Sequence, residues 1–160
     1  MKKMLSAILA AAMLMSLAAC GAATGGDTSE PDVDLDAFWM QLESDYEMPA
    51  MIESTDDIIE MYYPGLADIA LSQSVIKVPM MSSVVSEYVF VRCEKAQDAA
   101  AVAEILQARV DDQAAGGAWY PDSVAAWGTA QVLTNGSYVA MIAAGDNTAA
   151  IADAWNALFE

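Results

Sequence analysis

The chain has 160 residues, of which 23 are acidic, 6 are basic and none is histidine, so its formal net charge is −17. A charge of that sign and size repels nucleic acid and anionic lipid head groups, which excludes the usual electrostatic mode of binding to either. The lack of histidine also removes the commonest general base and the commonest metal ligand from the sequence.

The N-terminus has the pattern of a bacterial secretory signal that ends in a lipidation site. Lys2 and Lys3 precede a 14-residue apolar stretch at positions 4–17, which is shorter than the ~20 residues of a bilayer span. Leu-Ala-Ala-Cys follows at positions 17–20. This lipobox predicts that residues 1–19 are removed and that the Cys20 thiol carries lipid, which anchors the protein to the membrane. The alternatives are an ordinary signal peptide with an incidental cysteine, and an uncleaved anchor.

The chain after the predicted cut divides into a tether and one domain. Residues 20–33 are mostly Gly, Ala, Thr, Ser and acidic residues with little to bury, so we expect a disordered tether. Residues 34–160 suit a single globular domain with one core. The mature chain keeps four basic and all 23 acidic residues, a net charge of −19. Cys93 is its only free thiol, so no internal disulfide forms, and its apolar strand predicts a buried, inert side chain.

Hydrophobic spacing predicts four helices and four strands in the order α, α, β, β, α, β, β, α. The predicted helices cover residues 35–46, 55–62, 95–115 and about 148–159, and the predicted strands cover 69–78, 84–93, 129–134 and 137–144. Residues 119–127 are ambiguous between a turn and a short helix that begins at Pro121. Asn135-Gly136 predicts a two-residue type I′ hairpin turn, in which Val132 faces Val139.

Two successive ββα units indicate an α+β fold. We expect a four-stranded, largely antiparallel sheet packed with helices and preceded by two N-terminal helices. The order of the strands across the sheet does not follow from the sequence.

The acidic residues at 32–43 resemble a calcium-binding loop. Asp32, Asp34, Asp36 and Glu43 occupy positions 1, 3, 5 and 12 of an EF-hand pattern. However, Ala37 stands at position 6, where the sharp turn needs glycine. The same residues are also explained by an amphipathic helix that begins near Leu35 with Asp34 as its N-cap, and we favour that helix over a metal site.

Glu87 is unusual because it lies inside an apolar strand. It could be a functional carboxylate, and a weak carboxylate-based hydrolase is one alternative for the protein. We favour an outward position, with Glu87 paired to Arg92 or Lys77, because charged groups are rarely buried without a partner.

The aromatic residues of the irregular segment give the best candidate binding surface. Trp119, Tyr120 and Trp127 are the large aromatic residues that we expect to be exposed, and Glu87 could join them in one pocket. Trp39 and Trp155 lie on the apolar stripes of helices and are predicted to be buried. The sequence contains no G-x-S-x-G, P-loop, H-E-x-x-H or C-x-x-C motif, so no catalytic residue and no cofactor are predicted.

Several segments together resemble a family of small Gram-positive lipoproteins that is described only as a domain of unknown function. The resemblance covers about residues 35–158. It depends on the Leu-Ala-Ala-Cys signal, on Met-Tyr-Tyr-Pro-Gly at 61–65, on Ser-Glu-Tyr-Val-Phe at 86–90 and on Asn-Gly-Ser-Tyr-Val at 135–139. It implies the localisation and the fold, and it assigns no functional residue.

The sequence therefore predicts a lipid-anchored protein on the extracytoplasmic face of the cell membrane. We expect a non-catalytic binding domain whose partner is an envelope protein or a small ligand. The alternatives are a calcium-binding module and, less favoured, the carboxylate hydrolase.

Overall fold

The computed structural model describes residues 30–160, and in this range it contains five α-helices and five β-strands. The helices are α1 (Leu35–Asp45), α2 (Asp56–Tyr62), α3 (Ala99–Asp112), α4 (Pro121–Trp127) and α5 (Thr148–Ala157). The strands are β1 (Met51–Glu53), β2 (Leu71–Pro79), β3 (Glu87–Cys93), β4 (Gln131–Asn135) and β5 (Tyr138–Ala143).

The strands form one antiparallel sheet in the order β1-β2-β3-β5-β4. β3 and β5 are its central strands, and Glu87 pairs with Ala143 at one end of them while Arg92 pairs with Tyr138 at the other. Every residue of β5 is buried, because helices cover both faces of the sheet. The predicted α+β class with an antiparallel sheet is confirmed.

The two faces of the sheet belong to two hydrophobic cores. Alternation along β3 sends Val89 and Val91 to the face covered by α3, and Tyr88 and Phe90 to the face covered by α1 and α5. On the second face Phe90 stacks on Trp155 with ring centroids 5.4 Å apart. The predicted burial of Trp39, Trp155 and Cys93 is confirmed.

The prediction of four strands is wrong by one. The additional strand, β1, has only three residues, pairs with the end of β2 and forms an edge of the sheet. Three residues are too few to show the alternation by which strands are recognised. The ambiguous segment at 119–127 contains the helix α4, which begins at Pro121, a position where the fixed φ of proline suits a helix.

The predicted register of the β4–β5 hairpin is also wrong. Asn135 pairs with Tyr138, so the two central turn residues are Gly136 and Ser137 instead of Asn135 and Gly136. Gly136 has φ +60 and Ser137 does not have a positive φ, as in a type II′ turn with glycine first. Val132 consequently faces Met141 instead of Val139. Because this is a shift of two residues, the predicted faces of the strands are retained.

Residues 30–33, which the sequence predicted to be part of the tether, lie against the end of the sheet where Arg92 pairs with Tyr138. Glu30 accepts hydrogen bonds from the backbone and hydroxyl of Ser137, Asp32 forms a 2.7 Å ion pair with Arg92, and the Val33 amide donates to the Tyr138 hydroxyl at 3.0 Å. The rest of the expected tether, the signal peptide at 1–19 and Cys20 lie outside the described residues.

Candidate functional site

A cleft of about 410 Å³ opens at the end of the sheet where β3 begins. One wall comes from the end of β2 and the loop that follows, with Val78, Pro79 and Val84. The opposite wall comes from the end of α3 and the turn that leads to α4.

The floor of the cleft is a buried ion pair between Glu87 and Arg109. Glu87, the first residue of β3, points toward the α3 side and is only 3% exposed. Arg109 Nε donates to Glu87 Oε1 at 3.0 Å and Arg109 Nη2 donates to Oε2 at 2.9 Å. These two hydrogen bonds pair both charges and fix their relative orientation, which helps to offset the desolvation penalty of burying them.

Aromatic rings enclose the guanidinium of Arg109. Its central carbon lies 4.0 Å from the ring centroid of Tyr62 and 5.3 Å from that of Trp127. Burial by itself would lower the pKa of Arg109, but the hydrogen bonds and the charge of Glu87 raise it above its usual value. Arg109 therefore stays positively charged, held by Glu87 and by two aromatic rings.

Tyr63 contacts the ion pair from inside the core. Its hydroxyl donates to Glu87 Oε1 at 2.6 Å, and its side chain is fully buried. Burial, followed by the charge and hydrogen bond of Glu87, raises the pKa of Tyr63 well above its usual value. Tyr63 is accordingly a neutral donor at neutral pH, and both oxygens of the Glu87 carboxylate are engaged.

The rim carries two exposed aromatic residues on a constrained turn. Trp119 is 90% exposed and Tyr120 is 61% exposed. Trp119 has φ +64, the only positive φ of a non-glycine residue in the range 30–160. A bulky side chain is sterically strained there, and such positions cluster at ligand sites.

The structure brings all four candidate surface residues to this one cleft: Glu87, Trp119, Tyr120 and Trp127 all line it. Two expectations about them were wrong. Trp127 is 4% exposed, because it lies on the inner face of α4 and contacts the core.

Glu87 is buried instead of facing outward, and its partner is neither Arg92 nor Lys77. Those two bases pair with Asp32 and Glu53, respectively. The strand phase places Glu87 with Val89 and Val91 on the α3 face, where Arg109 is within reach.

Tyr62, Tyr63 and Arg109 were not identified from the sequence. One signal was available: residues 30–160 contain only four basic side chains, and Arg109 alone lies next to the apolar stripe of α3 formed by Leu106 and Val110. A base in that position needs a buried acidic partner.

The calcium interpretation of Asp32, Asp34, Asp36 and Glu43 is not supported. Asp34 caps α1 by accepting a 3.0 Å hydrogen bond from the Ala37 amide, so the helix begins where a calcium loop would still be irregular. Across residues 30–160 there is no group of three or more His, Cys, Asp or Glu side chains placed to hold a metal ion.

Residues 30–160 include no helix that is both long and apolar enough to cross a bilayer.

In comparisons with known proteins, no curated protein and no solved structure matches the chain. One family model matches residues 44–144, more than half of the chain and the whole lining of the cleft. The chain belongs to the family described as "Domain of unknown function (DUF4358)".

Proposed function

We propose that this protein is a lipid-anchored, extracytoplasmic binding domain that takes its ligand in the cleft without catalysis. The observation that carries the proposal is the composition of the cleft. A neutralised ion pair forms the floor, and Trp119 and Tyr120 stand exposed at the rim. Ligand sites are typically concave and combine apolar side chains with a few oriented polar groups, and this cleft has both.

The state of Glu87 favours binding over hydrolysis. Carboxylate-based glycoside hydrolysis needs a pair of carboxyl groups, one free to donate or accept a proton. Among the residues that line the cleft Glu87 is the only acid, and Tyr63 and Arg109 occupy both of its oxygens. The ion pair serves better as a rigid floor than as a source of protons.

The route of the chain supports a cleft that faces away from the membrane. Residues 30–33 are fixed at the Arg92–Tyr138 end of the central strands, and the cleft lies at the Glu87–Ala143 end. With a rise of about 3.3 Å per residue, those ends are about 17 Å apart. A lipid on Cys20 would therefore tether the domain from the end opposite the cleft.

Metabolic labelling tests the anchor. Cells that express the full chain are given radioactive palmitate, and membrane and soluble fractions are separated. We expect label and membrane association in the unmodified chain and in Cys93→Ser, and loss of both in Cys20→Ala. Label that persists in Cys20→Ala would refute the lipid anchor.

Site-specific crosslinking tests the binding site. A photoreactive phenylalanine analogue replaces Tyr120 at the rim, or Met40, which is equally exposed (61%) but lies on α1 across the sheet. After irradiation of living cells, mass spectrometry should detect an adduct at position 120 that is missing at position 40. The same products at both positions, or none at 120, would contradict a binding role for the cleft.

A further inference from the structure

The exposed apolar surface of the domain is concentrated around the cleft. Residues 30–160 contain eight large hydrophobic side chains that are exposed. Three of them, Val84, Trp119 and Tyr120, line the cleft, and Met61, Met80 and Met81 are next to lining residues in the chain. The remaining two, Met40 and Ile52, lie on other elements. A concentration of this kind marks an interaction site.

The types of side chain indicate what is bound. Methionine, tryptophan, tyrosine and arginine are the residues enriched in the centres of protein–protein interfaces, and flexible methionines adapt to the shape of an apolar side chain. The volume of about 410 Å³ lies near the lower limit for ligand pockets. The cleft therefore suits one or two inserted side chains.

Charge determines the kind of partner. The described residues hold 22 acidic and 4 basic side chains, and three of the four bases, Lys77, Arg92 and Arg109, are already in ion pairs. A second copy of this chain, a nucleic acid or an anionic membrane would be repelled. A basic polypeptide would be attracted, and its association would be accelerated at low salt.

We propose that the occupant of the cleft is an apolar side chain carried by a basic segment of a partner polypeptide. This inference rests on the binding function proposed above and names the class of ligand. The apolar side chain inserts between Trp119 and the loop after β2, where Pro79, Ser82 and Val84 line the cleft, and the net negative charge of the domain attracts its basic flanks.

The backbone at Trp119 supports its role as an anchor. A residue held at positive φ with its ring 90% in solvent gains nothing for the fold from that ring. Because the turn fixes the backbone at this position before binding, less backbone entropy is lost when a ligand packs on the ring. Tryptophan is among the residues that dominate interface energies.

Peptide selection tests the proposal. The full chain, held in phosphatidylcholine nanodiscs, is used to select from a phage library of random dodecapeptides, and phage that bind empty nanodiscs are removed first. We expect the recovered peptides to share an aromatic or large aliphatic residue flanked by Lys or Arg.

Synthetic versions of the recovered peptides are then measured by fluorescence anisotropy. Trp119→Ala should weaken binding about 10-fold, and Val84→Ala, which shortens a lining side chain, a few-fold. Met40→Ala, the matched control on α1, should leave the affinity unchanged. Raising the salt from 50 to 500 mM should slow association several-fold, because screening removes the attraction.

Two results would overturn the proposal: recovered peptides that are acidic or uncharged, or equal loss of affinity in Met40→Ala and Trp119→Ala. Failure of the ligand class is distinguishable from failure of the binding function. If no peptide is selected but position 120 still crosslinks in cells to a small molecule, the cleft binds a ligand of another class. If no peptide is selected and no adduct forms, both proposals fail.

Discussion

At position 119, glycine should give a more stable protein than alanine, the reverse of the usual ranking. At an ordinary exposed position in a helix, glycine is less stable than alanine by about 0.5–1 kcal/mol, because it loses more chain entropy on folding. Trp119 has φ +64, where a residue with a Cβ atom incurs a steric cost of about 1–2 kcal/mol. The difference between the two effects predicts that Trp119→Gly is more stable than Trp119→Ala by roughly 0.5–1 kcal/mol.

The comparison isolates the backbone, because both variants lack the indole ring. Since that ring is 90% exposed, Trp119→Ala itself should change the free energy of unfolding by less than about 0.5 kcal/mol. Ala108→Gly is the matched control, at an exposed position inside α3, and it should lower stability in the usual way. Urea unfolding followed by circular dichroism measures all four proteins, including the unmodified one.

The outcome that refutes the reasoning is a normal ranking at position 119. If glycine is less stable than alanine there, as at position 108, the turn carries no steric strain. Trp119 would then be an ordinary exposed side chain. If the reversal is found, the more stable Trp119→Gly variant should nevertheless lose peptide binding together with Trp119→Ala, which separates stability from function.

The remaining predictions concern the floor of the cleft and the two cores. Glu87→Gln leaves the charge of Arg109 buried without a counter-charge and should lower the free energy of unfolding, measured in urea, by about 3 kcal/mol. Glu53→Gln breaks an ion pair whose glutamate is 79% exposed and should lower it by less than about 0.5 kcal/mol. Because the pKa of Tyr63 is raised, the folded state keeps a proton that the unfolded chain loses near pH 10.0. The contribution of Tyr63 to the free energy of unfolding is therefore full below that pH and falls above it. Tyr63→Phe should make this alkaline loss of stability shallower. Burial raises the pKa of Cys93, so a thiol reagent should label it slowly in the folded protein and rapidly in urea. Asp34→Ala removes the cap of α1 and should cost about 1 kcal/mol, equally with and without calcium.

Each of these has a definite contrary result. Equal effects of Glu87→Gln and Glu53→Gln would show that burial of the ion pair does not matter. An unchanged alkaline slope in Tyr63→Phe, or fast labelling of native Cys93, would mean that the α3 side of the sheet is open to water. A calcium-dependent effect of Asp34→Ala would restore the metal interpretation.

The sequence predicted those features that local chemistry encodes. The cap and apolar stripe of α1 and the shared face of Val132 and Val139 in the hairpin follow from patterns within single elements. β1 was missed because a three-residue edge strand has too little periodicity. The hairpin register was wrong because Gly136 suits the second position of one turn type and the first position of another.

The candidate site was predicted in its members and not in its organisation. Its aromatic residues were named from their place in an irregular segment, and Glu87 from its place in an apolar strand. The partners of Glu87 were not identified, because Tyr63 and Arg109 lie 24 and 22 residues away in the chain and reach it only when the end of α2 and α3 pack on the sheet. Tertiary contacts of that kind are not encoded in a local pattern.

The attachment of residues 30–33 also defines how the domain would bear a pulling force. If the chain is anchored through Cys20 and a partner in the cleft is pulled away from the membrane, tension would enter at Glu30 and Asp32 and leave near Glu87. That path runs along β3, which is paired with a neighbour on each side. Force along a strand loads its hydrogen bonds together instead of one after another. The central strand is thus oriented to resist extraction, and the N-terminal contacts would be the first to yield.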